Sequence, residues 1–177
     1  MSTSDDALCF FSGSKDVAPG KGARERVAVP GGYALLAATP GWRRTLSNFH
    51  EHEFTYEGAT FRTIEHAFQA AKIALADPAK AREFALDSGS ALATGGGLAA
   101  RKARKLVVLT APQIAAWNAL SRGTMAAIAR AKYARCAEAR AVLLATGSAQ
   151  LHHIVPRQRD TDRFVHLEEM REEMREV

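Results

Sequence analysis

The chain opens its pattern with a short apolar run, residues 7–11, that reads as a strand entering a core. Residues 12–22 break it with glycine, serine and proline, which marks a loop. Two short strands are expected on either side of the Pro30-Gly31-Gly32 turn, at residues 26–29 and 33–36. Apolar and polar positions then alternate over residues 54–61 around Glu57-Gly58, the signature of a hairpin. From Thr63 the period changes to that of a helix running to about Leu75. Asp77-Pro78 supplies a cap and a first-turn proline for a second helix, which ends near Leu86. Residues 87–90 and 94–97 read as loops, and residues 98–109 begin as helix and end extended. Residues 112–145 are helical, with breaks expected at Arg122-Gly123 and near Cys136, and Gly147 closes the run. Residues 156–161 form a linker, and Asp162 caps a last amphipathic helix. The class is α+β, mainly helical, with its strands and hairpin in the N-terminal half. One domain over residues 7–177 is expected, preceded by a disordered start at 1–6.

Composition narrows the class. The chain has no apolar run near the roughly 20 residues that span a bilayer, and its acidic first residues carry no signal pattern. A soluble cytoplasmic protein is the expectation, with Cys9 and Cys136 as reduced, buried thiols at no metal spacing. The formal charge is +5, concentrated at Arg101, Lys102, Arg104 and Lys105, while residues 168–176 are mostly acidic. Such a basic cluster is either a solvated helix face or a contact for phosphates. The loop at residues 12–22, with Lys15, Lys21 and Gly22, is likewise either a plain mobile loop or a cradle of backbone N–H groups.

The helix after the hairpin concentrates the chemistry. At about 100° per residue, Ile64, Phe68, Ala71 and Leu75 share one stripe. Glu65, Gln69 and Lys72 share the next, related by i, i+4 and i+7. The far side, with Ala67, Ala70, Ile73 and Ala74, is apolar too, which predicts burial and makes those polar groups face one another or a cleft. Two readings follow: a structural Glu65–Lys72 pair, or a site. His66, a quarter turn away, reads alone as a hydrogen-bonded core histidine. Upstream, Asn48 offers an amide for a ribose or base, and Trp42 or Phe49 an aromatic face for stacking. In isolation each also fits turn and core roles.

Together these residues resemble a known pattern. Leu46-Ser47-Asn48-Phe49, Phe54, Gly58 and Ile64-Glu65-His66-Ala67-Phe68-Gln69-Ala70-Ala71-Lys72 are similar to the signature of the NADAR (YbiA-like) family. Trp117, Met125, Lys132-Tyr133 and Leu143-Leu144-Ala145-Thr146-Gly147 resemble its later motifs. The resemblance spans about residues 10–151. It implies a compact α+β fold and N-glycosidase chemistry on ribosylated compounds, either ADP-ribose attached to guanine or a phosphoribosyl intermediate of riboflavin synthesis. It implies that Lys72 attacks the anomeric carbon and forms an imine with the opened ribose, with no cofactor and no metal. Glu65 then shuttles the proton or steadies the cationic sugar. His66, Gln69 and Asn48 would hold ribose hydroxyls, Trp42, Phe49 and Trp117 the rings, and Lys21, Gly22 or Lys132 the phosphates. Family members commonly carry an acidic residue, an aspartate and a Trp-Gly pair after this last helix. Here the chain reads Gln150-Leu151-His152-His153-Ile154 and then Arg157 to Arg159. Either His153 or Arg157 replaces the missing contacts or the substrate differs, which weighs against the riboflavin-pathway role; adjacent histidines make no chelate. Three functions stand open: an N-glycosidase releasing ADP-ribose, a non-catalytic ADP-ribose binder, and a nucleic-acid binder using residues 101–105.

Overall fold

A computed structural model of the chain describes residues 5–176. In chain order its elements are β1 (Ala7–Phe10), α1 (Ala34–Ala37), α2 (Trp42–Thr45), β2 (Phe54–Tyr56), β3 (Ala59–Phe61), α3 (Ile64–Ile73), α4 (Pro78–Arg82), α5 (Ala91–Thr94), α6 (Gly97–Ala103), α7 (Ala111–Arg135), α8 (Ala137–Ala145), β4 (Gln150–Ile154), β5 (Thr161–Arg163) and α9 (Val165–Arg175). Helix predominates over two small sheets, an α+β fold. Two compact units are formed: one from the stretches up to Ser47 and from Ala137 onward, the other from Asn48–Cys136.

In the discontinuous unit, β1 pairs parallel with β4, and β4 pairs antiparallel with β5. Leu8, Phe10 and Leu151 on one face are fully buried. Phe10 meets His153 edge-on at 5.8 Å and Phe164 at 5.4 Å. Helix α9 packs on α8 and β4. Its Arg171, 3 % exposed, donates Nη1 to Thr146 Oγ1 at 2.7 Å and to the Ala149 carbonyl at 2.9 Å. The Leu-Leu-Ala-Thr-Gly motif therefore ends in a turn, with Gly147 at φ 58°, that the last helix locks. The loop after β1 is pinned as well: Arg43 and Glu25 form a buried ion pair at 2.8 Å beneath it.

In the continuous unit, β2 and β3 form the hairpin expected around Glu57-Gly58, and both turn residues have positive φ. Helix α3 packs against α4, α6 and α7. Gln113 of the Thr110 capping box also donates its amide to the Leu75 carbonyl at 2.7 Å.

Several expectations are corrected. Residues 33–36 are not a strand but enter the single helical turn α1, and of residues 26–29 only Arg26 makes a bridge, to Ala7. Helix α7 runs through Gly123 without a break, because one glycine costs a long helix only about 1 kcal/mol. The break at Cys136 does occur. Two strands flank the expected linker, β4 before it and β5 from its last residue, Thr161, and the last helix starts after Asp162 rather than at it. Of the disordered start, residues 1–4 lie outside the described residues. Asp6 is ordered, since its carboxylate accepts from the Ala28 N–H and the Tyr33 hydroxyl, both at 2.7 Å. Cys9 and Cys136 are free and buried. No helix among the described residues is long and apolar enough to cross a membrane.

Candidate active site

Thr63 starts α3 by accepting the backbone N–H of His66 at 3.3 Å. The Asn48 carbonyl accepts the N–H of Glu65 at 3.1 Å, another first-turn donor that the helix cannot use internally. The segment before the hairpin and the first turn of α3 are thereby joined through the backbone. Lys132 of α7 adds a second tie, donating Nζ to the His50 carbonyl at 2.6 Å.

Glu65 is 6 % exposed and Gln69, one turn on, is 5 % exposed. Gln69 donates Nε2–H to Glu65 Oε1 at 2.8 Å, while its own Oε1 is buried with no hydrogen-bond partner. Burial raises the Glu65 carboxyl above its ordinary value, and the Gln69 hydrogen bond and the positive charges of Arg101 and Arg104 only partly oppose this. No salt bridge joins Glu65 to a cation among the described residues, so the i, i+7 pair with Lys72 does not form. Lys72 is half-buried on the same stripe, and no described residue hydrogen-bonds or ion-pairs with it. A buried acid and an amine with no partner among the described residues thus share one helix face.

The remaining predicted residues divide. Asn48 is half-buried and donates Nδ2–H weakly to Met125 Sδ at 3.7 Å. The Phe49 ring lies against Gly97, where an added Cβ would sit 2.5 Å from Phe49 Cγ, and the Arg101 guanidinium stands 5.4 Å over it. Trp117, 8 % exposed, packs on Phe68 at 4.8 Å. His66 requires a correction. It is fully buried, its Nε2–H donates to the Leu92 carbonyl at 3.2 Å, and its Nδ1 then accepts from the Thr63 hydroxyl at 2.8 Å. Both ring nitrogens are spent within the fold, so His66 positions the helix rather than holding a ribose. Lys132 is corrected on similar grounds, being 0 % exposed and turned to the His50 carbonyl.

Lys21, Gly22 and Trp42 belong to the other unit. Gly22 N–H donates to Glu25 Oε2 at 2.9 Å, so an internal carboxylate already occupies the expected phosphate cradle. Trp42 is 2 % exposed with the Arg43 guanidinium 4.1 Å from its ring centroid, which leaves no face for stacking. Lys21 is exposed. Sequence reasoning missed Arg101 and Arg104 as charges acting on Glu65; their signal was the basic cluster, legible as charge but not as a neighbour of the carboxylate. A cavity of ≈ 340 Å³ in the continuous unit lies on the alanine face of α3, between Ala67, Ala70 and Ala74 and the hairpin, and is not lined by Glu65, Gln69 or Lys72.

Fold and site define an α+β protein with a buried acid–amide pair and a lysine on one helix. The NADAR domain family model matches residues 39–161, more than half of the chain, so the protein belongs to the NADAR family. The chain is also similar to the NMR structure of the E. coli protein YbiA, at 28 % identity and a TM-score of 0.56, covering 75 % of this chain and 79 % of that one. No curated protein matches the sequence.

Proposed function

We propose that the chain is an N-glycosidase that releases ADP-ribose from a guanine base, in nucleic acid or a nucleotide. The observation that carries this reading is the α3 stripe, with Lys72 unpaired and Glu65 buried beside an amide, inside the matched NADAR segment. Glu65, whose carboxyl burial pushes above its ordinary value, protonates the departing base nitrogen. The Lys72 amine attacks the anomeric carbon as the C–N bond breaks. Loss of the amine proton and opening of the ribose ring leave an imine, which water hydrolyses to free ADP-ribose and lysine. Gln69 keeps Glu65 in place and offers its unused Oε1 to a sugar hydroxyl. Asn48 and Phe49 stand next to the first turn of α3 through the Asn48 carbonyl, which suits contact with the ribose or base.

The test is incubation with an oligonucleotide carrying ADP-ribosylated guanine, with mass spectrometry of both products. Release of ADP-ribose by the wild type, its absence in Lys72→Ala, and a borohydride-trapped adduct on Lys72 are expected. Equal turnover by Lys72→Ala sinks the mechanism. A second reading, a non-catalytic ADP-ribose binder, draws on His153, which stacks on Phe164 at 5.1 Å where family members commonly carry an acidic group. It predicts tight ADP-ribose binding and no product.

A further inference from the structure

Strand alternation gives the β1–β4 pair two faces. Phe10 and His153 turn to the aromatic core, whereas Cys9, Gln150 and His152 border a cavity of ≈ 250 Å³ within the discontinuous unit. Three arginines, Arg24, Arg26 and Arg159, line this cavity with a single acidic residue, Asp160. None of the three forms an ion pair with any described residue.

Two of these arginines are held in place by neutral groups. Arg24 donates Nη2–H to the Gln158 carbonyl at 2.7 Å and Nη1–H to the Asp160 carbonyl at 3.5 Å. Arg26 donates Nε–H to the Asp5 carbonyl at 3.0 Å, which leaves its terminal N–H groups unused. The Arg24 backbone is also kept at φ 66°, a conformation unfavourable for a residue with a Cβ. At the wall, His152 Nε2–H donates to Gln150 Oε1 at 3.1 Å and its Nδ1 accepts from the Thr161 hydroxyl at 2.9 Å. That arrangement leaves the Gln150 amide N–H groups as further donors. Like charges gathered in one concavity repel, and preorganised guanidinium forks match phosphate oxygens.

We propose that this cavity is a binding site for a phosphomonoester dianion on a small molecule, with Arg24, Arg26 and Arg159 as its cationic wall. Two net positive charges after Asp160 balance such a dianion, and a pocket of this size suits one phosphate group rather than the track of a polynucleotide. The site lies wholly in the discontinuous unit, and its existence does not depend on the reaction assigned to Lys72.

Inorganic phosphate, ribose 5-phosphate and AMP, each titrated by calorimetry at low salt, provide the probes, with NMR shifts of the His152 ring reporting location. Saturable one-site binding is expected, weakened at least tenfold in Arg159→Glu and in Arg26→Gln. Arg159 makes no hydrogen bond or ion pair with the described residues, so its variant is expected to keep the fold and separates lost binding from lost structure. Tighter binding of AMP than of ribose 5-phosphate upholds the site and makes its ligand a nucleotide; equal binding upholds it with the phosphate alone as the recognised group. Failure of all three probes to saturate the wild type, or wild-type affinity in both variants, overturns the proposal.

Discussion

Each unit buries a glutamate, and the two are treated in opposite ways. Glu25, with a side chain 0 % exposed, accepts Arg43 through both Nε and Nη2 at 2.8 Å and also the N–H groups of Gly20, Gly22 and Cys9. Arg43 spends its other donors on the carbonyls of Val17 and Ala18. Every strong hydrogen-bonding direction is used. Glu65 receives one amide hydrogen bond and no ion pair. A carboxylate saturated with donors in this way serves as scaffold. A buried carboxyl with a single hydrogen-bonding partner is the kind of group that the proposed chemistry would use.

The contrast can be broken in graded steps. Lys72→Ala has the largest expected effect, a loss of turnover of at least about 10³-fold, with stability changed by less than about 0.5 kcal/mol. Steady-state rates beside a urea melt decide it, and an unfolded variant would show that Lys72 is scaffold after all. Arg43→Met strands the Glu25 carboxylate and is expected to cost about 3–5 kcal/mol in the same melt. A cost under about 1 kcal/mol would mean that the backbone N–H groups suffice. Gly97→Ala drives a methyl into the Phe49 ring and is expected to cost about 1–3 kcal/mol, with weaker substrate binding as Phe49 shifts.

The smallest effect concerns pH. The folded-state pKa of Glu65 is raised above 4.5. Its contribution to stability is therefore complete below that value and is lost as pH rises through the folded pKa. Glu65→Gln should melt above the wild type at pH 7.5, and the difference should shrink toward zero at pH 4. A variant less stable than wild type at both values would assign Glu65 to the scaffold.

What could be read from the sequence was what local geometry decides. The start of α3 at Thr63, the Asp77-Pro78 start and the Glu57-Gly58 hairpin all follow from residues in contact with their neighbours along the chain. The Glu65–Gln69 contact is one helical turn and was equally accessible. Strand β4 was missed because its partner β1 lies at the other end of the chain and two adjacent histidines obscure its alternation. His66 was misassigned because the acceptor that completes its hydrogen bonding, the Leu92 carbonyl, comes from a segment 26 residues away. The gathering of Arg24 and Arg26 with Arg159 around one cavity arises only when two distant stretches meet.

The parallel pairing of Ala7 with Gln150 also sets an order of events during synthesis. As the chain leaves the ribosome, Asn48–Cys136 is complete before the strand that β1 requires has been made. For that interval the apolar segment Ala-Leu-Cys-Phe is without the strand it pairs with, an unpaired edge of the kind that other chains can capture.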